Sequence, residues 1–190
     1  MRRPLLLALA ALPLLLPGAA WADEIGDAMA EATRAYLAGQ IAVARTAMEE
    51  ALQLLSQRTA AGLGAALPNA LPGWQATEAE AKTAGLGFLG GCSQASRHYE
   101  NSQGQTVEIQ VTADSPVITQ LAMIMTNPAM AGAMGKLIRI GTQRAVQTSN
   151  NEIQMLVNNR ILVAITGDAP IEAKLAYAQT IDLARLSGWQ

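Results

Sequence analysis

Two prolines and a glycine within eight residues divide this chain into a helical part and a strand-rich part. The stretch from Leu67 to Trp74 reads LPNALPGW. Pro68 and Pro72 lack an amide hydrogen, and each disfavours helical angles in the residue before it. Gly73 permits backbone angles that branched residues resist. We therefore expect an upstream helix to end near Leu67, and we expect Trp74 to anchor the first strand through its large apolar area.

Residues 1–22 contain the three parts of a secretory signal peptide. Arg2 and Arg3 form a basic start, Leu5–Leu16 is an apolar run, and Ala20–Ala22 reads AWA, a small-x-small cleavage motif. The apolar run is shorter than the roughly 20 residues that a membrane-spanning helix needs. We expect cleavage directly after Ala22 and a soluble product in the periplasm or outside the cell.

The composition favours a packed core and argues against a nucleic-acid partner. Hydrophobic residues make up 51% of the chain and charged residues only 15%, so the chain can form a packed core and is not expected to be globally disordered. The formal net charge is −2, and it becomes more negative when Arg2 and Arg3 are removed. Scattered arginines form no basic stripe, and no segment after the signal peptide is apolar enough to span a membrane. Cys92 has no partner for an intramolecular disulfide, so it is either buried and inert, which is the alternative we expect, or paired with another molecule.

Upstream of the joint the sequence predicts an antiparallel helical hairpin over residues 23–66. After a short link at Gly39–Gln40, a second helical pattern runs from Ile41 to about Leu63. Two helices joined by so short a link lie antiparallel. In the first helix apolar residues recur three and four positions apart, on one stripe: Ile25, Met29, Ala32 and Tyr36.

Residues 35–54 resemble the second half of a tetratricopeptide repeat. In that family a glycine makes the turn, here Gly39, and small residues such as Ala44 let the helices approach. A bulky residue takes the place held by Met48. The resemblance implies a hairpin that binds partners, and Tyr36 and Ile41 are the contact residues we expect. A single repeat cannot bury its faces alone, so we expect the hairpin to pack on its own β domain or on a second copy of the chain, as a homodimer.

Residues 75–190 predict an α+β domain. Polar and apolar residues alternate without a fault from Thr106 to Ala113, as in a strand with one buried face. Ile161–Ile165 is continuously apolar and should lie in the most central strand. The strand that contains this run is predicted over Ile161–Thr166. The other predicted strands are Gln75–Thr83, Ser93–Glu100, Leu137–Ile140, Gln143–Thr148 and Ile153–Val157.

Helices are predicted where proline follows a capping residue. Asp114-Ser115-Pro116 predicts one helix start, Asn127-Pro128 a second, and a final helix follows Pro170. The domain order is therefore βββαββββα, and short links favour an antiparallel sheet with helices on one face. This order resembles small exported accessory domains of the PsbP and Mog1 type, which implies an accessory or binding role.

Gly85–Gly90 matches the G-x-G-x-x-G pattern of dinucleotide sites. That site needs a helix opening at its third glycine, whereas a strand-like stretch follows here, so we expect a loop and no cofactor. The loop carries Leu86, Phe88 and Leu89. These side chains either contact a partner or fold back under the sheet.

The sequence offers no recognisable catalytic set. Cys92 and His98 would lie about 20 Å apart on one straight strand, which is too far for a dyad. A single histidine and a single cysteine cannot supply a zinc set of nitrogen and sulfur ligands, and no G-x-S-x-G elbow is present. A hydrolase would need the fold to gather Asp114, His98 and Arg97 into one cleft.

Methionines suggest a second alternative, a periplasmic Cu(I)-binding protein. Thioethers are soft ligands that suit Cu(I). On one unbroken helix Met123, Met130 and Met134 would share a face, and Met125 would point away. His98, from another part of the chain, would be the further ligand. A helix break at Pro128 would spoil that alignment, and methionine also serves as core filler.

Together these patterns predict an exported, soluble and non-enzymatic protein that binds or helps to assemble partners in the cell envelope. The hairpin and the loop that contains Leu86, Phe88 and Leu89 are the expected contact surfaces.

Overall fold

The computed structural model describes residues 17–84 and 92–188, which form six helices and eight strands. The helices are α1 (Pro17–Leu37), α2 (Ile41–Gly64), α3 (Pro116–Thr126), α4 (Pro128–Met134), α5 (Ile171–Thr180) and α6 (Leu183–Ser187). The strands are β1 (Trp74–Ala76), β2 (Glu80–Ala84), β3 (Cys92–Asn101), β4 (Thr106–Ala113), β5 (Gly135–Ile140), β6 (Gln143–Thr148), β7 (Ile153–Val157) and β8 (Ile161–Thr166).

The chain divides into two compact units between Leu54 and Leu55, inside α2. This division differs from the proline joint that the sequence suggested as the boundary. The reason lies in the last turns of α2, which pack into the second unit. Leu63 is fully buried there, and the Ser93 hydroxyl donates a hydrogen bond of 3.0 Å to the carbonyl oxygen of Ser56.

The first unit contains α1 and the larger part of α2, which form the predicted helical hairpin. Gly39 adopts a positive φ of 72°, which glycine tolerates best, and the Gln40 amide donates to the carbonyl of Ala35 at 2.9 Å. The buried positions are mostly alanines, whose small side chains let helices approach closely. They are Ile25, Ala28, Ala32 and Ala35 in α1, and Ala44, Ala47 and Ala51 in α2.

The second unit is built on one antiparallel sheet, which confirms the predicted α+β class. Its strand order is β1-β3-β4-β8-β7-β6-β5, and β2 pairs beside β1 on the same edge of β3. The apolar strand β8 lies in the middle, as its composition predicts. The segment predicted as one first strand, Gln75–Thr83, is instead two short strands, β1 and β2.

Helices cover both faces of this sheet, whereas the sequence predicted one. The main core joins one face of the strands to the end of α2, α5 and α6, through residues such as Leu63, Tyr177 and Leu186. Alternate side chains of β7 and β8 point the other way. There Leu156 and Leu162 pack against α3 in a second, smaller cluster with Ile118, Ala122 and Met125.

Two tyrosine hydroxyls fix the Leu67–Trp74 segment on the sheet. The Tyr99 hydroxyl donates to the carbonyl oxygen of Pro68 at 2.8 Å, and the Leu71 amide donates to the Tyr177 hydroxyl at 3.2 Å. Both tyrosines are fully buried, and burial raises the pKa of each hydroxyl. The neutral form that makes these hydrogen bonds is therefore favoured.

Aromatic and cationic contacts reinforce this arrangement. The Tyr177 ring lies 4.4 Å from the Tyr99 ring, and Trp74 meets Tyr177 edge-on at 5.5 Å between centroids. Such pairs contribute about 0.5–1.5 kcal/mol each beyond burial. Arg97 adds hydrogen bonds to the carbonyls of Pro68 at 3.0 Å and Thr77 at 2.7 Å. Trp74 thus anchors the first strand, as predicted.

Both predicted helix starts are confirmed, but they are capped differently. The Asn127 side chain accepts a hydrogen bond from the Ala129 amide at the start of α4. At α3 the capping residue is Ser115, whose side chain makes no capping bond. Asp114 has a positive φ of 60°, and its carboxylate pairs with Arg160 at 3.1 Å.

Removing either hydroxyl should destabilise the second unit. Tyr99→Phe leaves the Pro68 carbonyl with Arg97 as donor, so we expect a loss of about 0.5–1.5 kcal/mol. Tyr177→Phe leaves the Leu71 amide without its acceptor, and we expect about 1–3 kcal/mol. Urea unfolding would measure both against Tyr36→Phe, an exposed control. A Tyr177→Phe protein as stable as that control would contradict this account.

Candidate functional site

The hairpin leaves most of its large apolar side chains exposed, and its buried positions are mostly alanines. The predicted stripe of α1 is split, because Ile25 and Ala32 are buried whereas Met29 and Tyr36 are 56% and 63% exposed. Burying a large apolar side chain removes more apolar surface from water than burying an alanine does, so the opposite arrangement would be the more stable one for an isolated hairpin. Further exposed residues follow in α2, and we define the hairpin face as Met29, Tyr36, Ile41, Met48 and Leu52.

Helical geometry places these five residues on one side of the hairpin. At 100° per residue, the exposed residues of each helix lie about 70–90° from its buried stripe, in the same rotational sense. In two antiparallel helices an equal rotation points both stripes to the same side. Val43, which is also exposed, lies at a similar angle from the buried stripe of α2 but in the opposite rotational sense. It therefore points to the other side of the hairpin. The hairpin face is therefore a single apolar surface, and it contains the predicted contact residues Tyr36 and Ile41.

A cleft of about 390 Å³ lies in the second unit, where the α3–α4 corner meets the β5–β6 hairpin. Its helical side is formed by Met125 and Pro128. Gly135 brings α4 to the sheet without a linker, since it ends that helix and begins β5. A Cβ at this position would overlap the carbonyl oxygen of Gln147 on β6. The close approach of the α4–β5 junction to β6 thus requires glycine.

Two arginines lie on the strand side of this cleft. Arg139 on β5 and Arg144 on β6 are directly opposite in the register, and both are exposed. Directly opposite residues have Cβ atoms about 4.5–5.5 Å apart, and like charges in such a pair are destabilising. Sequence reasoning missed this pair. A signal was available, because the two arginines are equally distant from the Gly141–Thr142 turn.

The structure does not bring Asp114, His98 and Arg97 together. Arg97 and His98 are consecutive in β3 and point to opposite faces. Asp114 directly follows β4. The register pairs Arg97 with Ile109, and Asp114 lies five residues beyond Ile109, or about 17 Å along the strand. Asp114 lines a separate polar pocket of about 270 Å³ that also contains Arg160.

The candidate copper ligands lie on different elements. Met123 is on α3 and Met130 on α4, both exposed, and the two helices are separated at Asn127. Met134 is half-buried at the end of α4, and His98 is on β3 opposite Glu108. The break removes the shared helical face on which the Cu(I) hypothesis rested.

The remaining predicted positions are Cys92 and the loop residues Leu86, Phe88 and Leu89. Leu86, Phe88 and Leu89 lie outside the described residues, so their contact role stays a prediction. Cys92 begins β3 opposite Ala84 and is half-buried rather than fully buried.

Lys174 is a buried lysine that sequence reasoning did not single out. It is 1% exposed, and its Nζ donates to the carbonyls of Gly167 at 2.6 Å and Asn151 at 3.0 Å. The neighbouring Asp168 accepts hydrogen bonds from the Thr106 amide and hydroxyl, which lower the pKa of its carboxyl. These contacts tie α5 to two turns, and we assign them a structural role.

No protein-family model, curated protein or solved structure matches this chain. The resemblances to tetratricopeptide repeats and to PsbP and Mog1 domains therefore stay predictions. Among the described residues, no three His, Cys, Asp or Glu side chains are grouped so that they could hold a metal ion. Across residues 17–84 and 92–188, no helix has the length and hydropathy to cross a membrane.

Replacement by alanine should have opposite effects on stability at Gly132, within α4, and at Gly135, at the end of α4. Gly135→Ala forces a Cβ against the Gln147 backbone, so we expect a lower midpoint of thermal unfolding and a displaced α4. Gly132→Ala meets nothing within 4 Å and should stabilise the helix by about 0.5–1 kcal/mol. Differential scanning calorimetry would compare them. Equal effects of the two substitutions would contradict the close approach described for Gly135.

Proposed function

We propose that this chain is an exported, non-enzymatic protein that binds or helps to assemble a partner in the cell envelope, and that the hairpin face is its docking surface. The observation that carries the proposal is the reversed burial of the hairpin, with alanines inside and Met29, Tyr36, Ile41, Met48 and Leu52 outside. Contiguous apolar patches of this kind mark interaction sites in soluble proteins. Tyrosine and methionine are also residues that protein interfaces favour.

Export is supported by the basic, apolar and small-residue parts of residues 1–22. Cleavage after Ala22 would remove the first six residues of α1, which begins at Pro17. The shortened helix would start with Asp23 and Glu24. Carboxylates in the first turn interact favourably with the helix dipole, so the remaining helix would have a suitable N-terminus.

Export gives a direct prediction for the mature protein. We expect the full-length chain, expressed in a Gram-negative host, to be recovered from the periplasmic fraction with Asp23 as its first residue. Intact-mass spectrometry and N-terminal sequencing of that fraction would test this. Replacing Ala22 by a bulky residue, in Ala22→Trp, should block processing at this site. Recovery of the uncleaved chain from the cytoplasm would refute the export proposal.

The hairpin face gives a second prediction. A photo-crosslinking amino acid at position 48 should form a defined adduct in cells, whereas the same group at position 43 should not, because Val43 lies on the other side of the hairpin. The mass of the adduct distinguishes a second copy of this chain from a different partner. Met48→Glu should reduce adducts formed from position 36, since it places a charge on the docking surface.

Val43→Glu is the matched control for Met48→Glu. Both replace an exposed apolar side chain of α2 by glutamate, at 45% and 52% exposure, so both proteins should remain folded. Equal adduct formation from positions 43 and 48, or none from either, would contradict the assignment of the hairpin face.

A further inference from the structure

The cleft beside β5 and β6 has an apolar wall that suits a hydrocarbon chain. Met125 and Pro128 line its helical side, and Leu137 and Val146, which are opposite each other in the register, line its sheet side. Leu137 is 49% exposed, so a ligand in the cleft would remove apolar surface from water. The volume of about 390 Å³ is near the lower end of the roughly 300–1,000 Å³ found for small-molecule sites.

The charge of the cleft is positive, and no described residue neutralises it. In the described part of the chain, neither Arg139 nor Arg144 forms an ion pair or a side-chain hydrogen bond with another residue. An anion between the two guanidinium groups would replace their mutual repulsion by two attractive contacts. Guanidinium groups bind carboxylates and phosphates through paired hydrogen bonds.

We propose that this cleft binds a single-chain anionic amphiphile of the fatty-acid class, with its carboxylate between Arg139 and Arg144 and its chain along Leu137, Met125 and Pro128. The two halves of the site select for the two halves of such a molecule. A free phosphate or a short carboxylate would leave the apolar wall in water. A cationic amphiphile would place a third positive charge beside the arginines. This site belongs to the second unit, and its proposal does not depend on the proposed function.

Isothermal titration of the purified full chain with dodecanoate, below its micelle concentration and at fixed ionic strength, would test the proposal. We expect one dodecanoate per chain. Arg139→Gln and Arg144→Gln should each weaken binding by about tenfold or more, because each removes one charge-assisted contact. Leu137→Ser should weaken dodecanoate binding through loss of the apolar contact.

Lys136→Gln is the matched control. Lys136 is an exposed cation on the same strand, but it alternates with Leu137 and Arg139 and points to the other face of the sheet. Its variant should bind dodecanoate as the parent chain does. Equal binding of dodecyltrimethylammonium, equal loss in all three charge variants, or no binding of dodecanoate would each overturn the proposal. Binding of inorganic phosphate as tight as that of dodecanoate would replace it with a simple anion site.

Discussion

The hydrogen bonds that Tyr99 and Tyr177 make with the Leu67–Trp74 segment are the contacts on which the second unit depends. A segment with two prolines cannot join a sheet through a regular ladder, so its polar groups need side-chain partners. Burying Pro68 or Leu71 without those partners would cost the hydrogen bonds they make with water. With them, the end of α2 is held in the core and Trp74 is placed at the start of β1.

Local patterns in the sequence predicted most of the fold. β4, β6, β7 and β8 have the bounds that alternation and turn residues indicated, and the apolar run of β8 marked the central strand. Contacts over long separations could not be predicted in this way. Tyr177 is 106 residues from Leu71, and nothing in either local pattern pairs them. The faces covered by α3 and α5 likewise depend on the direction in which the chain leaves β4 and β8.

The two candidate surfaces differ in how far the sequence revealed them. The hairpin was predicted, but a periodicity of three and four residues does not tell which of two adjacent stripes is buried, and here alanines occupy the buried one. The arginine pair follows from the predicted bounds of β5 and β6, because Arg139 and Arg144 flank the same short turn symmetrically. The cleft itself could not be predicted, since it requires α4 to lie beside those strands, which Gly135 permits.

Amide hydrogen exchange of Leu71, followed by NMR, tests the central claim most directly. A Leu71 amide held by the Tyr177 hydroxyl should exchange slowly in the parent chain, at a rate close to that of core amides in β4. The same amide should lose that protection in Tyr177→Phe, while the β4 amides keep theirs. Exchange of Leu71 in the parent chain as fast as that of exposed turn amides would show that the proline segment is not fixed on the sheet.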